Sequence, residues 1–169
     1  MKIVIVSDSH GDINSLSLIH ERHLQESDLF IHCGDSELPA HHPVLSRYLS
    51  VRGNCDFDKQ LLKERVEPIT FGVRMFVTHG HLYDVKYSLT RLYYKARELE
   101  ANLVCYGHSH CIGAEMVDGI IFINPGSLVL PRNTKEKTYV LLTMTEQTFD
   151  VTFYEVESGK VLFQKSFKR

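Results

Sequence analysis

Nothing in the chain approaches the roughly 20 consecutive apolar residues that a membrane-spanning helix needs. The opening run Met1-Lys2-Ile3-Val4-Ile5-Val6 gives way to polar Ser7-Asp8 too early for a secretory signal, so the expected address is the cytoplasm, with no membrane partner. Excess charge of one sign is also missing: a net charge of -2 and 24% charged residues disfavour a role in binding nucleic acid or an anionic surface. The four cysteines, Cys33, Cys55, Cys105 and Cys111, lack the paired short spacings of a zinc knuckle or redox dithiol and read as free thiols. Cys33 and Cys105 lie in apolar runs and are expected in the core. There is no tandem repeat, low-complexity tract or Pro/Gly/Ser-rich linker, so 169 residues with 43% hydrophobic content are read as one domain, 1–169. No nucleophile elbow or phosphate-cradling loop is present.

What the chain does contain is a series of short apolar runs, each ending in polar residues. Lys2 to Val6, Leu29 to Cys33, Tyr48 to Arg52, Met75 to Thr78 and Leu103 to Tyr106 are rich in β-branched or aromatic residues and read as buried strands. A first helix follows the first strand, capped by Asn14 or Ser15, with Leu16, Ile19, His20, His23 and Leu24 near helical spacing. A longer helix is expected from about Val85 to Glu100, with Leu89, Leu92, Tyr93, Ala96 and Leu99 as its apolar stripe. After Gly107 the pattern is mostly strands: Ala114 to Val117, Ile120 to Asn124, Thr138 to Thr143, Phe149 to Val156 and Val161 to Phe167. Asp118-Gly119 and Ser158-Gly159 are hairpin signals between them. The combination predicts an α/β fold in which two sheets pack face to face with helices outside, a four-layer α/β/β/α sandwich.

The residues that end the early strands carry chemistry. Ser7-Asp8-Ser9-His10-Gly11 follows the first strand and Gly34-Asp35 the second. Gly53-Asn54, His79-Gly80-His81 and Gly107-His108-Ser109-His110 follow the next three. Carboxyl ends of strands in an open α/β sheet are where ligands collect, so residues far apart in sequence would converge. Carboxylate, carboxamide oxygen and imidazole are donors for borderline divalent metals. Asp8 with His10, and His108 with His110, stand two residues apart and would project to one side of an extended segment. Taken singly, Asp8 could be a helix cap, Gly34-Asp35 a turn, Asn54 a left-handed turn residue and each histidine a satisfied side chain. Turn chemistry does not explain why five successive strand ends carry Asp-x-His, Asp, Asn, His and His-x-His.

As an ordered set these motifs closely resemble the calcineurin-like metallophosphoesterase superfamily, in particular its small bacterial and archaeal single-domain phosphodiesterases, from Lys2 to about Ser127. The resemblance implies two mixed β-sheets and two divalent metal ions, with manganese the first choice and iron, nickel, cobalt or zinc compatible. It implies that Asp8, His10 and His110 hold one ion, that Asn54, His79 and His108 hold the other, and that Asp35 bridges them. The expected reaction is hydrolysis of a small phosphoester, most simply a phosphodiester, by a metal-bridging hydroxide. Asn124-Pro125-Gly126-Ser127 also looks like a family feature near the site. One departure stands out: Gly53-Asn54-Cys55-Asp56 replaces the Gly-Asn-His-Asp or Gly-Asn-His-Glu of many larger members. Cys55 is a poor substitute for an imidazolium acid, which leaves His81 or Asp56 to assist the leaving group, or His81 to orient the site.

Two other functions compete with hydrolysis. The retromer subunit similar to this subgroup keeps the fold but lacks part of the ligand set, which suggests a protein-interaction scaffold; here each expected ligand position holds a competent residue. A nuclease role is disfavoured by the near-neutral charge. A homodimer is compatible with the sequence. His20 and His23 are assigned to the first helix, His32 to a strand, His41-His42 to a surface loop, and Tyr83, Tyr87, Tyr93 and Tyr94 to core or interface positions.

Overall fold

The computed structural model describes residues Met1–Arg169, which form eleven strands and two α-helices. The strands are β1 (Lys2–Val6), β2 (Leu29–His32), β3 (Leu49–Ser50), β4 (Glu64–Pro68), β5 (Arg74–Thr78), β6 (Leu103–Cys105), β7 (Ile112–Val117), β8 (Ile120–Pro125), β9 (Thr138–Met144), β10 (Thr148–Glu155) and β11 (Val161–Lys168). The helices are α1 (Ile13–His23) and α2 (Thr90–Glu98). One sheet has the order β11-β10-β9-β1-β2-β3, the other β4-β5-β6-β8-β7. Within them β1, β2 and β3 run parallel, as do β5, β6 and β8, while the outer strands pair antiparallel. Both sheets are therefore mixed.

Strand alternation decides the layering. Side chains two apart share a face, so Ile3, Ile5, Ile31, Met75, Val77 and Leu103 meet in a core between the sheets, joined by Cys33 and Cys105. The alternate residues Val4, Val6 and Phe30 face outward and are covered by Leu16 and Ile19 of α1. On the other sheet Phe76, Val104 and Phe122 are covered by Leu92 and Ala96 of α2. Helix, sheet, sheet and helix thus stack as four layers. A fully buried residue of this type contributes about 1.5–3 kcal/mol relative to exposure, and a one-residue slip would turn the whole set to the wrong face.

Four local expectations need correction. The cap of α1 is Asp12, which accepts from Ser15 N at 3.0 Å and Ser15 Oγ at 2.7 Å, and not Asn14 or Ser15. The second helix begins at Thr90, because Asp84 adopts φ 54 and closes a turn through Tyr87 N and Ser88 N. Of Tyr48 to Arg52 only Leu49–Ser50 is paired as strand. Strand β4, Glu-Arg-Val-Glu-Pro, was not anticipated; it is an edge strand whose charges and Pro68 protect the sheet margin, and so it lacks the apolar signature of its neighbours. The Asp118-Gly119 hairpin forms with both φ values positive, 48 and 79.

The C-terminal strands are shared between the sheets: β7 and β8 complete one, and β9 to β11 extend the other. Phe153, fully buried between the sheets, stacks on half-buried Phe163 with centroids 4.4 Å apart. Truncating Phe153 to alanine should cost about 3–5 kcal/mol in urea unfolding at unchanged m, and Phe163→Ala distinctly less. Equal losses would contradict the placement of the core.

Candidate metal centre

The carboxyl ends of β1, β2, β5 and β6 are tied together across the two sheets by hydrogen bonds. Asp8 N donates to Gly34 O at 3.0 Å, His79 Nδ1 to Cys33 O at 2.8 Å, Gly107 N to His79 O at 3.1 Å and His108 N to Asp8 Oδ2 at 3.1 Å. The approach is close enough to require glycine. A Cβ on Gly53 would stand 2.0 Å from Asp35 Oδ1, and one on Gly107 would stand 1.9 Å from Ser7 Oγ. Asp8, His10, Asp35, His108 and His110 all have positive φ, between 41 and 66, in a region that costs non-glycine residues of order 1–3 kcal/mol each. Such strain concentrates at functional sites.

Two groups of ligand atoms result. Asp8, His10 and His110 offer atoms within 4.8 Å of one another, as do Asp35, His79 and His108. The groups adjoin: His79 Nε2 is 3.2 Å from Asp35 Oδ2 and 3.9 Å from Asp8 Oδ1, and Asp35 also clusters with His10 and Cys55.

The donors suit divalent cations, as their unsatisfied atoms show. Asp8 Oδ1, His10 Nε2 and His79 Nε2 are buried without a hydrogen-bond partner, although His110 Nε2 stands 3.0 Å from Asp8 Oδ1. Buried polar atoms are nearly always paired, so atoms that face one another without bonding call for a common partner. The ring orientations agree. His79 and His110 direct Nδ1 at the Cys33 and Leu130 carbonyls, each at 2.8 Å, and a carbonyl can only accept. The proton of the neutral ring is thereby placed on Nδ1, leaving the Nε2 lone pair free for a metal.

Charge inside this buried space is strongly perturbed. Burial pushes the Asp8 carboxyl up, but the neighbouring His110 and His79 overcome it and lower its pKa. Burial likewise raises Asp35, but His79 and the Cys55 N–H, which donates at 2.7 Å, leave it well below the ordinary carboxylate value. Burial lowers His79, yet Asp35 and Asp8 leave it raised overall; His110 is raised by Asp8. His108 is depressed to about 4, by burial first and then by the charge of His79.

The remaining residues named from sequence lie alongside. Asn54 is exposed, and its amide donates to Cys55 Sγ at 3.2 Å. Cys55 is pushed up to about 11 by burial and by Asp35. The ring of His81 lies 5.4 Å from that of His79, its Nδ1 is buried without a partner, and burial lowers its pKa. Asp56 lies behind the Asp35 loop. It is buried, and its carboxylate accepts from Asp35 N, Ser36 Oγ, Glu37 N and Gly53 N at 2.7–3.0 Å.

Several supporting residues were not assigned a role from sequence. His32, read as an ordinary strand residue, is fully buried beneath the centre, with Nε2 2.8 Å from Ser9 Oγ and Nδ1 accepting from Gly34 N. Burial lowers its pKa to about 4. Ser7 Oγ donates to Asp8 Oδ2 at 2.6 Å. Asn124 and Ser127, flagged as near the site, brace it: Asn124 Nδ2 donates to Gly107 O and Ser109 Oγ, and Ser127 Oγ to Asp8 O. The signal available for these residues was adjacency to a glycine-bearing motif, which does not say which side chain turns inward.

Residues 1–147 match the calcineurin-like phosphoesterase superfamily domain. The chain belongs to this superfamily. Similar proteins include a probable metallophosphoesterase, YsnB of Bacillus subtilis, 44% identical over 162 residues that cover 95% of each chain. Phosphodiesterase YfcE of Escherichia coli is 27% identical over 84% of this chain and 87% of its own. The crystal structure of a conserved Streptococcus pneumoniae protein, described as a predicted phosphoesterase, superposes with a TM-score of 0.93 at 33% identity, covering 99% of this chain and 97% of that one. The superfamily fold and the four-layer architecture agree, and no helix is long and apolar enough to cross a membrane.

Metal uptake by this superfamily member should depend on pH in a definite direction. His79 and His110 hold protons above the ordinary imidazole value and must release them to bind a cation, whereas Asp8 and Asp35 are ionised already. Apparent Mn2+ affinity should therefore rise with pH from below about 6.5 until both rings are neutral, with proton release seen in calorimetry at several buffer ionisation enthalpies. An affinity independent of pH across that interval would contradict the assignment.

Proposed function

We propose that the protein is a divalent-metal-dependent phosphodiesterase that hydrolyses a small phosphodiester, with two cations held at the junction of the sheets. The observation that supports this reading best is the pair of adjoining donor clusters whose buried atoms lack partners. Asp8, His10 and His110 would hold one ion, and His79, His108 and Asn54 the other. Asp35, which clusters with His79 and His108 and also with His10, would be shared between the two ions. Bound cations would supply Lewis-acid stabilisation of phosphoryl oxygens and a water of lowered pKa, with manganese the first choice and iron, nickel, cobalt or zinc suited to the same donors. The cytoplasm is the proposed location.

The protein's own groups set limits on how the leaving group departs. Cys55 holds its proton to about pH 11, and burial keeps His81 neutral at physiological pH. Neither is a well-matched acid at neutral pH, where efficient proton donors have pKa values near the working pH. The His81 ring lies beside those of His79 and His108, with centroids 5.4 and 6.0 Å away. Diesters whose leaving group departs unprotonated, such as activated aryl esters, are the favoured substrates. The word phosphodiesterase in the name of the YfcE relative supports a diester over a monoester.

The ligand roles predict a contrast between two neighbouring residues. With manganese-loaded protein and an activated aryl phosphodiester, Asp35→Asn should lower kcat/KM on the order of 100- to 1,000-fold, the size of losing a preorganised charge-stabilising group. Cys55→Ala should stay within about tenfold of the parent, a change of roughly 1.4 kcal/mol. Equal losses at full metal occupancy in both variants would contradict the roles, and no turnover of any mono- or diester by the loaded parent would remove the reading.

A further inference from the structure

We propose that Glu37 is a positioning residue that orients His10 and sets the affinity of the Asp8–His10–His110 cluster for a divalent cation. This inference rests on the two-cation reading above and adds to it a residue outside the ligand set. His79 and His110 are oriented through Nδ1 by neutral backbone carbonyls. His10 is treated differently: its Nδ1 lies 2.7 Å from Glu37 Oε1. A carboxylate on the distal nitrogen holds the ring in one orientation and directs the opposite nitrogen at the cation position. That opposite atom, Nε2, is the one buried without a partner beside Asp8 and His110.

The chain holds Glu37 in place for this contact. Its backbone adopts φ 56, and its N–H donates to Asp56 Oδ1 at 2.7 Å. The other Asp56 oxygen accepts from Asp35 N at 2.8 Å, so one buried carboxylate fixes the backbone of both the shared ligand and the residue that orients His10. His10 N donates to Asp35 O at 3.1 Å, which anchors the backbone while leaving the ring free to rotate. Glu37 is the only side chain bonded to that ring. The Glu37 side chain is 41% exposed, so its loss removes the orienting charge without opening a core cavity.

The test is cobalt titration of the full chain, stripped of metal by chelation, read by visible absorption and by calorimetry. The parent should bind in two steps. Glu37→Ala should weaken one step by about 10- to 100-fold, the usual effect of losing a partner that orients a metal-bound histidine, and leave the other step unchanged. Glu37→Gln keeps an oxygen that can accept from Nδ1 but lacks the charge, and should fall between. Circular dichroism checks the fold, and the glutamine variant carries the test if the alanine variant fails to fold. Two unchanged steps in Glu37→Ala, or equal weakening of both, would overturn the role of Glu37 while leaving the two-cation reading intact. No cobalt uptake by the parent would overturn both.

Discussion

Two carboxylates are buried where the sheets meet, and the centre is organised around their charge. Asp8 and Asp35 are almost fully removed from solvent, a condition that costs several kcal/mol per ion unless partners compensate. Ser7, His108 N and the Cys55 N–H satisfy part of that need, and His79 and His110 supply positive charge when protonated. Divalent cations would replace those protons. The same carboxylates that make the site depend on imidazolium charge would attract the cations that replace it.

Holding such groups together requires backbone conformations that a regular strand end does not provide. Six of the ten non-glycine residues with positive φ are Asp8, His10, Asp35, Glu37, His108 and His110. Their strain is carried by the parallel strands behind them, whose cores on both faces are closed by large apolar side chains. Asp56 and His32 convert that rigidity into local order. One gathers four donors around the Asp35 loop, and the other links Ser9 to Gly34.

The layering and the ligand-bearing strand ends were legible because both depend on short-range pattern. Lys2–Val6 and Met75–Thr78 are apolar almost throughout, as strands buried on both faces are, and Asp, Asn or His follows five of the parallel strands beside glycine or an i, i+2 partner. Strand β4 was not legible, since an edge strand of charged residues has no buried face to betray it. The onset of α2 depended on Asp84 entering the left-handed region, a choice that its apolar stripe does not record. The bracing roles of His32 and Asp56 were not legible because their partners, Ser9 at 23 residues' distance and Asp35 at 21, meet them only in three dimensions.

The central claim is that these buried donors form a two-cation site, and metal content tests it most directly. Protein saturated with manganese, freed of excess ion and analysed by plasma mass spectrometry should hold two ions per chain. Removing the shared carboxylate in Asp35→Asn should take the value below two. A reproducible value near zero in the folded parent protein would contradict the account.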